Sequence, residues 1–177
     1  DEPVDEYLVK RHREEIFPLM KKRHLFSGAE HFNLYDLIGE DGGVDENVFA
    51  YSNRYENERS LIVYNNRYRD TAGWIRLSAP RVATREEERI APISASIARG
   101  LGLRGEANDY CIFRDLRTGL EYIRSSRKIE DEGFHIILDA YQCHVFYDFR
   151  EIKDDDKGFL AAVESSHPVR VTYVMFR

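Results

Sequence analysis

Apolar and polar positions change period several times along this chain, and each change marks an element. Residues 3–24 follow a helical period: Val4, Leu8 and Arg11 begin one face, and Ile16, Leu19 and Met20 continue it at i, i+3, i+4 spacing. Asp1 and Glu2 ahead of Pro3 predict a start there, since a proline in the first turn gives up an N–H that has no partner anyway. Pro18 is expected to kink or divide the helix, because it lacks a donor and its ring crowds the carbonyl four residues back. Lys21, Lys22 and Arg23 suit the negative end of the helix dipole, and Ser27-Gly28 ends the pattern.

The period then shortens to two. His31 to Ile38 predicts a strand with Phe32, Leu34 and Leu37 inward, and Glu40-Asp41-Gly42-Gly43 predicts a turn. Val48 and Ala50 alternate with Phe49 and Tyr51 in a strand over 47–54. Leu61-Ile62-Val63-Tyr64, within 59–66, is continuously apolar and predicts a strand buried on both faces. The charged run Tyr55 to Arg59 joins the two as a hairpin. Trp74-Ile75-Arg76-Leu77 alternates and predicts a short strand.

Pro80 opens a stretch of different character. Residues 84–99 predict helix, with Pro92 opening a second short helix whose face carries Ile93, Ile97 and Leu101; Gly100 to Leu103 stops it. Strands resume at Tyr110–Phe113 and Leu120–Ile123 around an Arg117-Thr118-Gly119 turn, then at Phe134–Leu138 and Tyr141–Phe149. Asp154–Gly158 reads as a turn, and Phe159 to Glu164 as a helical turn or two. Val169 to Phe176 has β propensity, with Pro168 equally able to open a helix. The expected fold is therefore mainly β: an antiparallel Greek-key-like β-sandwich with an N-terminal helix and a helical insertion at about residues 81–105.

Composition narrows the function classes. With 177 residues, 42% hydrophobic, the chain is long enough for a sizeable core. A net charge of −6, with acids and bases interleaved, leaves no basic stripe and argues against a nucleic-acid partner. No apolar run is long enough to cross a membrane. Cys111 and Cys143 sit in separate apolar runs and read as buried free thiols; a disulfide would point to an oxidising compartment. With no leader and no initiator Met, the chain reads as processed, truncated or excised, and as cytoplasmic, with secretion the alternative.

Three segments carry a resemblance. Arg13-Glu14-Glu15-Ile16-Phe17-Pro18-Leu19-Met20 followed by Phe26-Ser27-Gly28 is similar to the last barrel helix of the α-amylase family, glycoside hydrolase family 13. Val48–Tyr51 with Leu61–Asn66 resembles the opening strands of that family's β-sandwich tail. Gly133–Ile136 through Tyr141 and His144-Val145-Phe146 resembles its closing strands. The resemblance covers roughly residues 5–152 and implies a division into a barrel-helix segment at 1–28, a β-sandwich at 29–152 and an extension at 153–177. It also implies that the chemistry lies elsewhere. A retaining glycosidase needs two carboxyl groups about 5–5.5 Å apart, on the ends of barrel strands, and nothing in this chain matches those motifs. The insertion at 81–105 departs from the simplest tail domains.

Candidate chemistry within the chain is sparse. No catalytic residue, metal ligand set or cofactor motif stands out. Asp154-Asp155-Asp156 lacks the alternation, glycine and distal glutamate of a calcium loop. His135 and His144 lie on strands expected to be neighbours, without a third ligand. Asp139 and Asp148 flank a strand, with Asp148 expected to be partly buried between Tyr147 and Phe149. Trp74, Tyr68 and Tyr51 are the candidate sugar-stacking residues, Trp74 first because it follows the Asp70–Gly73 loop.

Three functions follow as expectations. The first is a non-catalytic C-terminal β-domain that stabilises the catalytic barrel of an α-amylase-like glycosidase or glucan transferase. It predicts an exposed apolar stripe at Ile16, Leu19 and Met20, or a homodimer that covers it. The second is a carbohydrate-binding module for starch-like α-glucans. The third is a small self-contained enzyme.

Overall fold

The structure, a computed structural model, describes residues 3–80, 92–155 and 157–165. Residues 84–91 of the helix expected over 84–99, and the ending Val169 to Phe176, lie outside the described residues.

Eight antiparallel strands build the molecule: β1 (Asn33–Gly39), β2 (Val48–Tyr55), β3 (Glu58–Asn65), β4 (Thr71–Ser78), β5 (Asp109–Asp115), β6 (Glu121–Ser125), β7 (Phe134–Leu138) and β8 (Cys143–Lys153). They form one sheet in the order β6-β5-β8-β3-β2-β1-β4-β7. Within it β4-β1-β2-β3 has the spatial order of a Greek key. In place of the two sheets expected of a sandwich there is one strongly curled antiparallel sheet, a half-barrel. The ring of Phe113 on β5 meets that of Phe134 on β7 at 5.5 Å, although five strands separate β5 from β7 in the hydrogen-bonded order. Only curling brings them together.

The inward face alternates as a pleat requires. Leu37, Ala50, Leu61, Val63 and Ile75 are fully buried. Phe113 lies at the centre of an aromatic cluster, stacked on Tyr122 at 5.6 Å and Phe149 at 5.1 Å, with Phe146 edge-on at 5.3 Å. Phe146 and Phe149 are three residues apart, so a regular strand would place them on opposite faces. A bulge resolves this: Asp148 takes a φ of 56°, and two residues of β8, Asp148 and Phe149, oppose one of β5, Phe113, between the pairs Arg114–Tyr147 and Ile112–Arg150. Asp148 is consequently exposed, not partly buried.

Parity corrects β1. Phe32, Leu34 and Leu37 cannot share one face at a period of two. Asn33, Tyr35 and Leu37 turn inward, while Phe32 and Leu34 are exposed on the outer face, where Phe32 meets Tyr51 at 5.7 Å. Leu77 is also exposed, because the pairing shifts between Leu37–Ile75 and Tyr35–Ser78. The β2–β3 hairpin is tighter than the sequence suggests: Tyr55 pairs with Glu58, leaving only Glu56 and Asn57 in the turn.

The N-terminal segment is helical in four pieces: α1 (Glu6–Arg11), a π-turn (His12–Ile16), α2 (Phe17–Lys21) and α3 (Arg23–Ser27). Asp5, not Pro3, starts it, its carboxylate accepting from the N–H groups of Tyr7 and Leu8. The π-turn answers Pro18. With no N–H to offer Glu14, the chain widens one turn, and Phe17 N–H donates to His12 O.

Three short helices complete the described residues. α4 (Ile97–Leu101) is capped by Ser96, whose hydroxyl accepts from Arg99 N–H, and ends at Gly102 with a φ of 65°. Pro92 does not open it. α5 (Ser126–Glu132) bridges the two sheet edges, β6 and β7. α6 (Phe159–Ser165) covers the outer face of β5 and β6 with Leu160 and Val163; the Asp154 carboxylate receives its first N–H groups from Leu160 and Ala161. Among the described residues, no helix is long and apolar enough to cross a membrane.

Candidate functional site

A curled sheet that stops short of closure leaves a seam between its edge strands. A cleft of about 400 Å³ lies in that seam. β4 and β7 supply Trp74 and His135, β6 supplies Arg124, α5 supplies Lys128 and Glu132, and α6 closes one side with Glu164.

Trp74 and His135 are cross-strand partners, which fixes their side chains on the same face. Their rings meet edge to face at 4.9 Å. The Arg76 guanidinium lies 5.2 Å from the indole centroid and occupies part of its surface. Trp74 is therefore half-buried at the cleft wall, neither a core residue nor an open platform.

Two cations, Arg124 and Lys128, and two carboxylates, Glu132 and Glu164, line the cleft. Glu164, almost fully buried, accepts from Ser125 N–H at 3.0 Å and from Lys128 Nζ at 2.9 Å, so those two charges neutralise each other. Arg124 is half-buried and has no hydrogen-bond or ion-pair partner among the described residues. Burial lowers its pKa, opposed by the fields of Glu164 and Glu132. His135 Nδ1 is buried without a hydrogen-bond partner. Burial lowers the His135 pKa; Glu40 opposes this and Arg124 adds to it. The arrangement sets a guanidinium without a protein partner among the described residues and a half-buried imidazole beside an aromatic wall.

The three sequence-derived candidates do not converge. Trp74 lines the cleft. Tyr68 is fully solvent-facing beside Tyr141, with ring centroids 6.0 Å apart. Tyr51 lies on the outer face of β2, against Phe32. Arg124, Lys128, Glu132 and Glu164 escaped the sequence reading, because α5 has a single buried apolar side chain, Ile129, and so shows no helical period. A serine followed by a basic, acidic stretch before Gly133 was its only trace.

The remaining polar clusters are structural. His135 and His144 are not neighbours, since four strands separate β7 from β8. Glu151, nearly buried, accepts from Arg59 at 3.0 Å and from Arg104 N–H at 2.7 Å, while Arg59 also donates to Gly102 O at 3.1 Å. A polar hollow beside Asp45 is occupied by internal bonds from Arg67 at 3.0 Å and Thr71 at 2.7 Å. Among the described residues no group of three or more metal-ligating side chains assembles.

No known family's sequence profile matches the chain, and no curated protein matches it either.

Proposed function

We propose that this chain is a non-catalytic β-domain of an α-amylase-like glycosidase or glucan transferase, whose role is to cover and stabilise a separate catalytic barrel. One observation carries the reading. From Val4 to Met20 the helical segment buries none of its large apolar side chains: Val4 is 69% exposed, Ile16 44% and Met20 61%. Leu19 is half-buried. Only at α3 does the segment anchor, through Leu25, 1% exposed, and through Lys22 and His24, which both pair with Glu58.

A stripe of this kind on an amphipathic helix marks a contact surface. A barrel's outer helix has that character, apolar towards the barrel strands and held at its end by the domain that follows. The resemblance of Arg13–Met20 to the last barrel helix supplies the family. In this reading the half-barrel takes the role of that family's β-sandwich tail, and the Greek-key order β4-β1-β2-β3 supports it. Hydrolysis or transfer at an α-glucosidic bond belongs to the barrel.

The test is a double substitution, Ile16→Glu with Met20→Glu. A docking stripe contributes little to the chain's own stability, so the thermal midpoint stays within a degree or two while binding of a hydrophobic dye falls. A large drop in midpoint would sink the reading, and so would turnover of maltooligosaccharides by the purified chain. Concentration-dependent sedimentation that the substitutions abolish would assign the stripe to a second copy instead. A second reading, an α-glucan-binding module, has the position of Trp74 in the cleft behind it. It predicts a saturable change in Trp74 emission with maltoheptaose.

A further inference from the structure

We propose that the seam cleft is a binding site for a small organic carboxylate, held by Arg124 and His135 with its apolar body against Trp74. The inference is independent of what covers the N-terminal helix.

His135 Nδ1 and the Arg124 side chain have no hydrogen-bond partner among the described residues. A buried polar group without a partner is costly. His135 Nδ1 is such a group, and the His135 side chain lines the same cleft as Arg124. The two lie within each other's electrostatic influence and repel if both are charged. A carboxylate between them satisfies both: a guanidinium offers parallel N–H groups to two carboxylate oxygens, and an imidazole N–H reaches one of them.

Charge disfavours a dianion. Lys128 is engaged by Glu164, which leaves Arg124 as the cleft's cation without an ion-pair partner among the described residues, formally balanced by Glu132, exposed at the rim. A phosphate dianion would find one free cation and two carboxylates. Shape selects an apolar body, because Trp74, Ile129 and Phe134 line the cleft beside the donors. The volume of about 400 Å³ falls in the range of small-molecule sites.

Trp74 is the sole tryptophan, so it reports on its own cleft. The experiment titrates the full chain with benzoate, inorganic phosphate and maltoheptaose, following Trp74 emission. The expected result is a saturable benzoate response at about millimolar concentration, the affinity of a single-anchor site, with little response to the other two. Arg124→Gln should weaken the benzoate response at least tenfold. Because Arg124 lies on an edge strand, its replacement is checked by thermal midpoint. The wild-type chain provides a second measurement: benzoate should shift the His135 ring resonances while leaving those of His144 in place. A benzoate response undiminished in Arg124→Gln overturns the proposal, as does no response at all. An equal response to phosphate overturns the carboxylate assignment, and a response to maltoheptaose alone makes the cleft a neutral-sugar site.

Discussion

Asp115 on β5 accepts a hydrogen bond of 3.0 Å from Nδ1 of His144 on β8, and its carboxylate is wholly buried. The same carboxylate accepts from Arg117 N–H, Val145 N–H and the Thr118 hydroxyl. One side chain thus ties the β5–β6 turn to the neighbouring strand. Burial by itself would raise the Asp115 pKa; the bonds from His144 and the two backbone N–H groups outweigh it and hold the group below its usual 3.8.

A carboxyl depressed on folding stabilises the native state above its unfolded pKa of about 3.9, and that contribution is lost as pH falls through the folded value. Asp115→Ala should therefore cost about 1–3 kcal/mol at neutral pH, through donors left unpaired. It should also flatten the decline of stability on acidification below about pH 4. Urea unfolding at a series of pH values reads both effects; a parallel offset at every pH would contradict the assignment.

Phe113 touches Tyr122, Phe134, Phe146 and Phe149, which arrive from three strands. Truncation to alanine removes the contact that joins the two ends of the curled sheet. The expected loss is about 3–5 kcal/mol, against less than about 1.5 kcal/mol for a volume-conserving swap elsewhere in the core. Equilibrium denaturation distinguishes the two.

Gly133 joins α5 to β7 with a φ of 86°, and a Cβ there would lie 2.3 Å from Ile75 O. Gly133→Ala meets both a disfavoured backbone and a carbonyl that β4 cannot move. A cost of several kcal/mol, on the order of a strained residue plus an overpacked core site, is expected. A thermal midpoint unchanged from wild type would show that the α5–β7 junction is placed differently.

The thiols should differ in reactivity. Burial pushes the Cys143 thiol up to about 11 and raises Cys111 further. Cys111 faces the core beside Phe113, whereas Cys143 opposes Tyr64 on the other side of the sheet, so no disulfide joins them. Iodoacetamide at about pH 8, well below both thiols and near the free-cysteine value, should leave Cys111 unmodified and label Cys143 slowly. Peptide mapping by mass spectrometry locates the adduct; rapid labelling of Cys111 in the native chain would contradict its burial.

Element existence was legible along most of the described chain because the signals are local. Leu61–Tyr64 is apolar throughout, since β3 is a central strand flanked on both sides. The β5–β6 turn announces itself through Gly119, which takes a φ of 71°. Pro18 carries its own disruption, and the π-turn is the form that disruption takes. The apolar stripe at Ile16 and Met20 was readable for the same reason: helical spacing alone places those side chains on one face.

Orientation and convergence were not local. Which of Phe32, Leu34 and Leu37 faces inward depends on the register of β1 against β2 and β4, and Asn33 opposite Ser52 settles it. The bulge at Asp148 exists because Phe146 and Phe149 must both reach Phe113 on another strand. The seam cleft depends on the whole curl: Trp74 and Arg124 are 50 positions apart in sequence, and they meet only because the sheet's two edges approach without closing. Sequence by itself determined the strands, the hairpins and the amphipathic helix, since these follow from residue-by-residue sterics and periodicity. The tertiary structure decided how far the sheet curls, and with it the cleft that an aromatic wall, an unpaired guanidinium and a half-buried imidazole line together.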